Sequence, residues 1–575
     1  MPQRWLGAVA TAVLLTLVVA GCAPRSPESA RRAPASAQQA TGGAPSAAGG
    51  QEAPGPAGGS VVNPGAGAAG AASAGAPAPA GEPKRGGTLV FGNSKDVTTP
   101  HPYVATSSIP RYIKESMYEP LIARDTEFNV HGHLAERWEH NADASVWTFK
   151  LREGVKFHNG KEMTAEDVVW STNYIMDPEN GAYGQSVLAD NLARVEAPDK
   201  YTVRFTLKGA RPLFYVIVAD IGRLSVIPAE SLRRGETQLQ GAPPPGTGPF
   251  KFEAFVPADH TTVVRFDDYW GGAAYLDRIV FKVIARETAR GNALRAGDVQ
   301  MAERLPVELV LRVREGKVSG IQLQPAGLSG YRVLGFNHTS RWFQDKRMRE
   351  AVALSIDQKA YMDEVTFGLG VSPGAAVVPG SAWEKAMNVP ARQRNLDRAK
   401  QLLREAGYNG EPVTFIAERG QGEPIVESLS RMIREAGVNV QVQTLESGVY
   451  DERQMKGDFD LTPAGHSAEI EPGLNLDENY RCETGPTRKS NKIGYCNPEL
   501  NKLLDQYHAE ADRTKRIELH ARGIRMVYDD VAEVHLGYHR DRFFGYLDKV
   551  QGFSQDGGGG YFHAKGGLHR TWMEQ

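Results

Sequence analysis

Residues 134–170 read LAERWEHNADASVWTFKLREGVKFHNGKEMTAEDVVW, and more structural information is concentrated there than anywhere else in the chain. Between Val146 and Leu151, Trp147, Phe149 and Leu151 alternate with Thr148 and Lys150. That two-residue period is the mark of a half-buried strand. Gly154 interrupts it, and residues 155–157 predict a second short strand. Asn159-Gly160 supplies a two-residue hairpin turn, because both residues tolerate positive φ. Thr164, with Asp167 three residues on, forms an Asp variant of the capping box. It opens a helix from Ala165 to about Met176, with Val168, Val169, Thr172, Ile175 and Met176 as the buried stripe.

Strand, hairpin and capped helix are common; the wording here is not. The order W-x-F-x-L-R-x-G-V-x-F-H-x-G-x-x-x-T-A-x-D-V-V closely resembles the signature of the peptide-type, family 5 extracellular solute-binding proteins of bacterial ABC importers. Further stretches resemble the same family: Y-E-P-L-I at 118–122, G-T-G-P-F-K-F at 246–252, F-D-D-Y-W-G-G at 266–272 and F-Q-D-K-R-M-R at 343–349. Gln300 stands where that family usually has an acidic residue, a departure expected to be structural.

The resemblance runs from about residue 86 to 550 and implies an α/β, two-lobed, type II periplasmic-binding-protein fold with an extra inserted subdomain. On that reading, 86–122 and 206–332 build lobe I, 123–205 is the inserted subdomain, 333–531 is lobe II, and 532–575 returns to lobe I. Ligand would lie between lobes that close by hinge motion. The second lobe is also legible without the family. A strand at 413–417, a helix at 424–436 and the alternating Val438, Val440 and Val442 form a strand–helix–strand unit, which implies a parallel, right-handed crossover.

Ahead of this body, residues 1–22 carry Arg4 and an apolar run from Leu6 to Ala20. The run is shorter than a bilayer span and leads into small residues, as in a secretory signal. Val19-Ala20-Gly21-Cys22 resembles the bacterial lipobox, which implies cleavage before Cys22 and lipidation of its thiol. An ordinary signal peptide or short anchor is the alternative. Residues 23–85 are dominated by Ala, Gly, Pro, Ser and Gln without apolar periodicity, the composition of a disordered tether. The chain is thus expected at the cell envelope, exported and held to a membrane.

With 66 basic and 68 acidic residues and no long basic run, nothing favours nucleic-acid capture. Cys482 and Cys496 remain after Cys22, and in an exported protein a disulfide is expected. Its loop length corresponds to about 3 kcal/mol in the chain-entropy account; a metal pair is the alternative. His131 with His133, and His535 with His539, are weak metal candidates. Gly465-His466-Ser467-Ala468-Glu469 approaches a nucleophile elbow, but Glu469 fills the position that needs glycine. The chain is therefore read as a binding protein without catalytic residues or cofactor, with a secreted hydrolase as the distant alternative.

For ligand contacts, the resemblance points to Glu469, matching the Asp with which peptide binders of the family hold an α-amino group. A carboxylate facing an ammonium makes a strong charge-assisted bond. His466 and Ser467 flank it, Thr106, Ser107 and Ser108 lie in the loop that lines the family's cleft, and Trp383 is a candidate wall. The expected partners are a peptide or other small polar solute, ABC permease subunits, and a membrane through Cys22, with the protein itself a monomer. An oligosaccharide, or nickel or another metal–chelate complex, is the alternative ligand.

Overall fold

The strand Val146–Leu151 forms as its alternation requires, with Trp147, Phe149 and Leu151 buried. It lies inside a four-stranded antiparallel sheet ordered Ala135–His140, Val146–Leu151, Thr202–Leu207, Leu192–Asp199. Trp147 stands opposite Phe205 and Phe149 opposite Val203. The computed structural model describes residues 82–95, 99–103, 111–124, 130–233, 243–325, 330–370, 382–387, 389–419, 423–467, 471–482, 491–538, 543–553 and 567–574. All belong to one unit, Gly58–Gln575. The lipidation candidate Cys22 lies outside the described residues.

The expected second strand at 155–157 is not there. Only an isolated bridge joins Lys156 to Glu162, because the backbone of this segment is engaged locally: Met163 N donates to Val155 O (2.7 Å) and Phe157 N to Lys161 O (2.8 Å). Val155 and Phe157 plug the core instead. The turn is not the expected two-residue Asn159-Gly160 turn. Gly160 N donates to Phe157 O (2.8 Å), so the tight turn is centred on His158 and Asn159, and of the expected pair Gly160 alone has positive φ, 85°. The cap forms as expected: Thr164 N donates to Asp167 Oδ2 (2.8 Å) at the head of the helix Ala165–Met176. Asp167, wholly buried, also accepts from Lys161 Nζ (2.6 Å) and Ala229 N (2.8 Å).

The first lobe is a seven-stranded sheet ordered Ile321–Pro325, Phe543–Leu547, Met301–Ala302, Thr88–Asn93, Arg278–Val283, His260–Arg265, Phe250–Val256. Thr88–Asn93 runs parallel to both neighbours. Its Phe91 shares one continuous core with Trp147, so the seven-stranded and four-stranded sheets are packed together. Gln300 has the structural role expected of it: Oε1 accepts from Val90 N (2.9 Å) and Nε2 donates to Gly297 O (3.1 Å).

The second lobe is a five-stranded sheet ordered Val440–Leu445, Val413–Glu418, Leu461–Ser467, Gly330–Phe336, Glu533–Gly537. Val413–Glu418 and Val440–Leu445 are parallel and joined by the helix Glu423–Glu435, which buries Ile425, Val426, Leu429, Met432 and Ile433. Val440 is buried but Val442 is 40% exposed, because this strand forms the sheet's open edge.

The lobes are connected twice. Chain leaves the first sheet at Pro325 and enters the second at Gly330; it leaves the second at Gly537 and re-enters the first at Phe543. The return therefore comes later than the expected position 532, since Glu533–Gly537 pairs with Gly330–Phe336 inside the second lobe. Cys482 and Cys496 are joined by a disulfide.

Candidate functional site

A cavity of about 430 Å³ opens in the second lobe at the carboxyl ends of Val413–Glu418 and Leu461–Ser467. Crevices outside strand carboxyl ends are where open α/β sheets place ligands. The helices Glu423–Glu435 and Ser447–Lys456 form its sides, contributing Ile425, Tyr450 and Gln454. Its floor comes from three neighbouring strands of the sheet: Pro463, Ala464, Gly465 and His466 from Leu461–Ser467, Arg332 from Gly330–Phe336 and Glu533 from Glu533–Gly537.

Gly465 pairs with Arg332 across the ladder, and a Cβ there would sit 2.5 Å from the Arg332 guanidinium. Glycine thus lets the arginine lie flat over the strand. Beside it, Glu533 is a buried carboxylate. Tyr480 donates to Glu533 Oε1, and His466 Nε2 lies 3.2 Å from Oε2 and His535 Nε2 3.0 Å from Oε1. Burial pushes the Glu533 carboxyl up, but the charges and hydrogen bonds of His466 and His535 outweigh it and hold it well below the usual range. The Tyr331 ring packs against both histidines.

Tyr450 ties the side wall to the floor. Its hydroxyl donates to Pro463 O (2.7 Å), lies 2.9 Å from Thr462 Oγ1 and accepts from Gln454 Nε2 (2.8 Å). Burial is the main reason its phenol is pushed up to about 12. Lys492 reaches in from the opposite side, donating to Gln454 Oε1 (3.1 Å).

Of the residues picked from sequence, the structure brings His466 to this cavity. Glu469, Thr106, Ser107, Ser108 and the Ser467 side chain lie outside what is described. Trp383 does not line the cavity: it is 1% exposed, in a separate core cluster, edge-on to His520. Ser467 still pairs with Gly330, in strand geometry rather than in the tight turn of a nucleophile elbow. His133 Nε2 lies 2.8 Å from Glu119 Oε1 and His535 Nε2 3.0 Å from Glu533 Oε1, while His539 is outside the described residues. Among the described residues, no group of His, Cys, Asp and Glu is arranged to hold a metal ion.

Arg332, Glu418 and Glu533 were not picked from sequence. Arg332 had a signal: it is the one charged residue in the apolar crossing strand Gly330–Phe336.

The family model for bacterial extracellular solute-binding proteins, family 5 (middle) matches residues 129–485. This chain is a member of that family. It is 27% identical over 495 residues to the oligopeptide-binding protein AppA of Bacillus subtilis, a match covering 79% of this chain and 86% of AppA. It is 26% identical over 442 residues to the glutathione-binding protein GsiB of Escherichia coli K12, covering 75% and 85% respectively. The solved structure of the binding protein AgaA from A. tumefaciens R10, in complex with agropinic acid, superposes with a TM-score of 0.65 at 25% identity. That match covers 85% of this chain and 99% of AgaA. The two-lobed fold expected from the sequence is thus the fold of its relatives, and the chain is a substrate-binding protein of the ABC-importer type.

Proposed function

We propose that this solute-binding protein is a lipid-anchored receptor, held outside the cytoplasm by Cys22, that captures a peptide or similar small polar solute and hands it to an ABC permease. The observation that supports this best is where the polar cavity lies. Arg332 and Glu533 sit on the two strands that adjoin the interlobe connections, and His466 on the strand paired with that of Arg332. A solute held by Arg332, opposite Gly537 where the chain leaves the second lobe, acts beside the hinge, which would link occupancy to lobe closure. The relatives named for oligopeptide and glutathione, and the solved complex with agropinic acid, all concern small polar solutes. The anchoring follows the sequence reading of residues 1–85, the permease partner follows the family, and the protein is taken to act as a monomer.

A thermal-melt screen of the purified protein against di- to pentapeptides, glutathione, maltotriose and nickel–EDTA tests the reading. A concentration-dependent rise in Tm with peptides or glutathione is expected, since a ligand bound only by the folded state stabilises it. A rise with maltotriose or nickel–EDTA alone would keep the receptor role and replace the ligand class.

A further inference from the structure

We propose that the second-lobe cavity reads both charges of a compact zwitterion, Arg332 taking a carboxylate and Glu418 an ammonium, as an α-amino-acid head would offer them. The inference rests on the solute-binding reading above and narrows it to a substrate class. Arg332 and Glu418 line the same cavity, and both are half-buried. Among the described residues neither side chain has a hydrogen bond or ion pair, whereas other arginines of the lobe's interior are fully engaged. Arg349, for example, donates to four backbone carbonyls.

The two groups are also close enough to one target to be felt together. Tyr450 stands between them electrically, its phenol pushed up by Glu418 and pulled down by Arg332. Opposite charges facing one cavity would ordinarily neutralise each other, yet these two form no ion pair. The remaining charged wall groups are accounted for otherwise. Glu533 is held by His466, His535 and Tyr480; Asp451 faces Lys492 at 3.8 Å; Glu478 is exposed.

Half-burying a guanidinium and a carboxylate without partners is unfavourable, and a ligand that supplies both counter-charges removes the cost. An anion alone would leave Glu418 unpaired and facing like charge. A cation alone would do the same to Arg332. A neutral sugar could hydrogen-bond to both but would bring neither counter-charge. The planar fork of Arg332, laid over Gly465, suits bidentate contact with a carboxylate.

Isothermal titration calorimetry on the full-length protein in detergent tests this with glutathione and dialanine, each compared with its carboxyl-amidated and N-acetylated derivatives. Maltotriose and nickel–EDTA serve as probes of the broader reading. Wild type should bind at least one zwitterion about tenfold or more tighter than either single-charge derivative, the scale of a charged hydrogen bond. Arg332→Gln should lose the preference over the amide and keep the preference over the N-acetyl form; Glu418→Gln should do the reverse. Because each variant retains one discrimination, a folding defect is distinguishable from a lost anchor. Undiminished zwitterion binding by Arg332→Gln, or equal wild-type affinity for the derivatives, would overturn the proposal. Binding of maltotriose or nickel–EDTA alone would overturn it while leaving the receptor role standing, and binding of no probe counts against both.

Discussion

His158 grips the turn that contains Gly248. Its Nε2 donates to Gly248 O (3.0 Å), its Nδ1 accepts from Gly246 N (3.2 Å), and its own N–H donates to Gly246 O (2.9 Å). Burial holds the imidazole pKa at about 4, so it stays neutral in this pattern of one donor and one acceptor. Residues from two of the chain's most recognisable motifs, some ninety positions apart in sequence, thus form one joint.

The joint leaves no room for a side chain at either glycine. A Cβ on Gly248 would lie 2.6 Å from Ser116 O, a backbone atom that cannot swing away. Gly248→Ala should therefore cost about 1–3 kcal/mol, as overpacking does. Thermal denaturation reads this as a lowered Tm; an unchanged Tm would mean the turn is looser than described.

Lys114 is a second buried group with a readable consequence. It is fully buried, its Nζ has no hydrogen-bond partner, and burial lowers its pKa to about 7 against the pull of Asp220. The unfolded chain, with its ordinary value near 10.5, holds the proton more readily. Stability is thus lost as pH falls from about 10.5 to about 7. Lys114→Met should stabilise the protein at pH 7 by about 1–4 kcal/mol, as found when buried charges become apolar, and so raise the Tm. The gain should shrink as pH rises toward 10.5, and a loss at pH 7 would assign Lys114 another role.

Glu533 has the opposite sign. Its folded pKa is depressed below the ordinary 4.5, so its contribution is complete above that value and is lost as pH falls further. The charged and titratable groups facing it are His466, His535, Tyr480 and Tyr331. Glu533→Gln should destabilise the protein at pH 7 by about 3 kcal/mol or more, as for a broken buried pair, and so lower the Tm. Below pH 4.5 the gap between variant and wild type should narrow. A gap that stays constant across that window would show that Glu533 is not ionised in the folded protein.

The scaffold was legible in the sequence for a physical reason: its distinctive residues bond to one another. Glu119 accepts from Tyr269 (2.7 Å) and Trp270 (3.0 Å) and lies 2.8 Å from His133, so the Y-E-P-L-I and D-D-Y-W-G-G stretches are two halves of one buried polar knot. The cap at Thr164 was legible from local chemistry alone, its N–H donating to the Asp167 carboxylate three residues on. The short segment at 155–157 misled because alternation reports burial and not a partner strand. The cavity was harder to see, since its wall gathers single residues from segments as distant as Arg332, Tyr450 and Glu533. No local period or spacing links such residues; only the sheet order does.

A bridge also spans the two bodies. Tyr215, in the helix Phe214–Val218 packed on the first core, donates to Glu471, which is buried in the second lobe and held by Arg516 (3.0 Å) and Tyr507 (2.6 Å). Glu471→Ala would strand the Arg516 guanidinium and should cost about 3–5 kcal/mol. Tyr215→Phe leaves that ion pair intact and should cost about 1.5–3 kcal/mol, as for a hydrogen bond to a charged group. Paired melting curves separate the two; equal losses would mean that the tyrosine, not the arginine, carries the contact.

The most direct measurement of the central claim is native mass spectrometry of the full-length protein as isolated, followed by denaturing release of whatever it carries. A one-to-one complex with a small solute bearing both an ammonium and a carboxylate is the expected result, with the retained mass lost from Arg332→Gln. A protein that is empty as isolated, and that takes up none of the peptides or glutathione when they are added, would contradict the account.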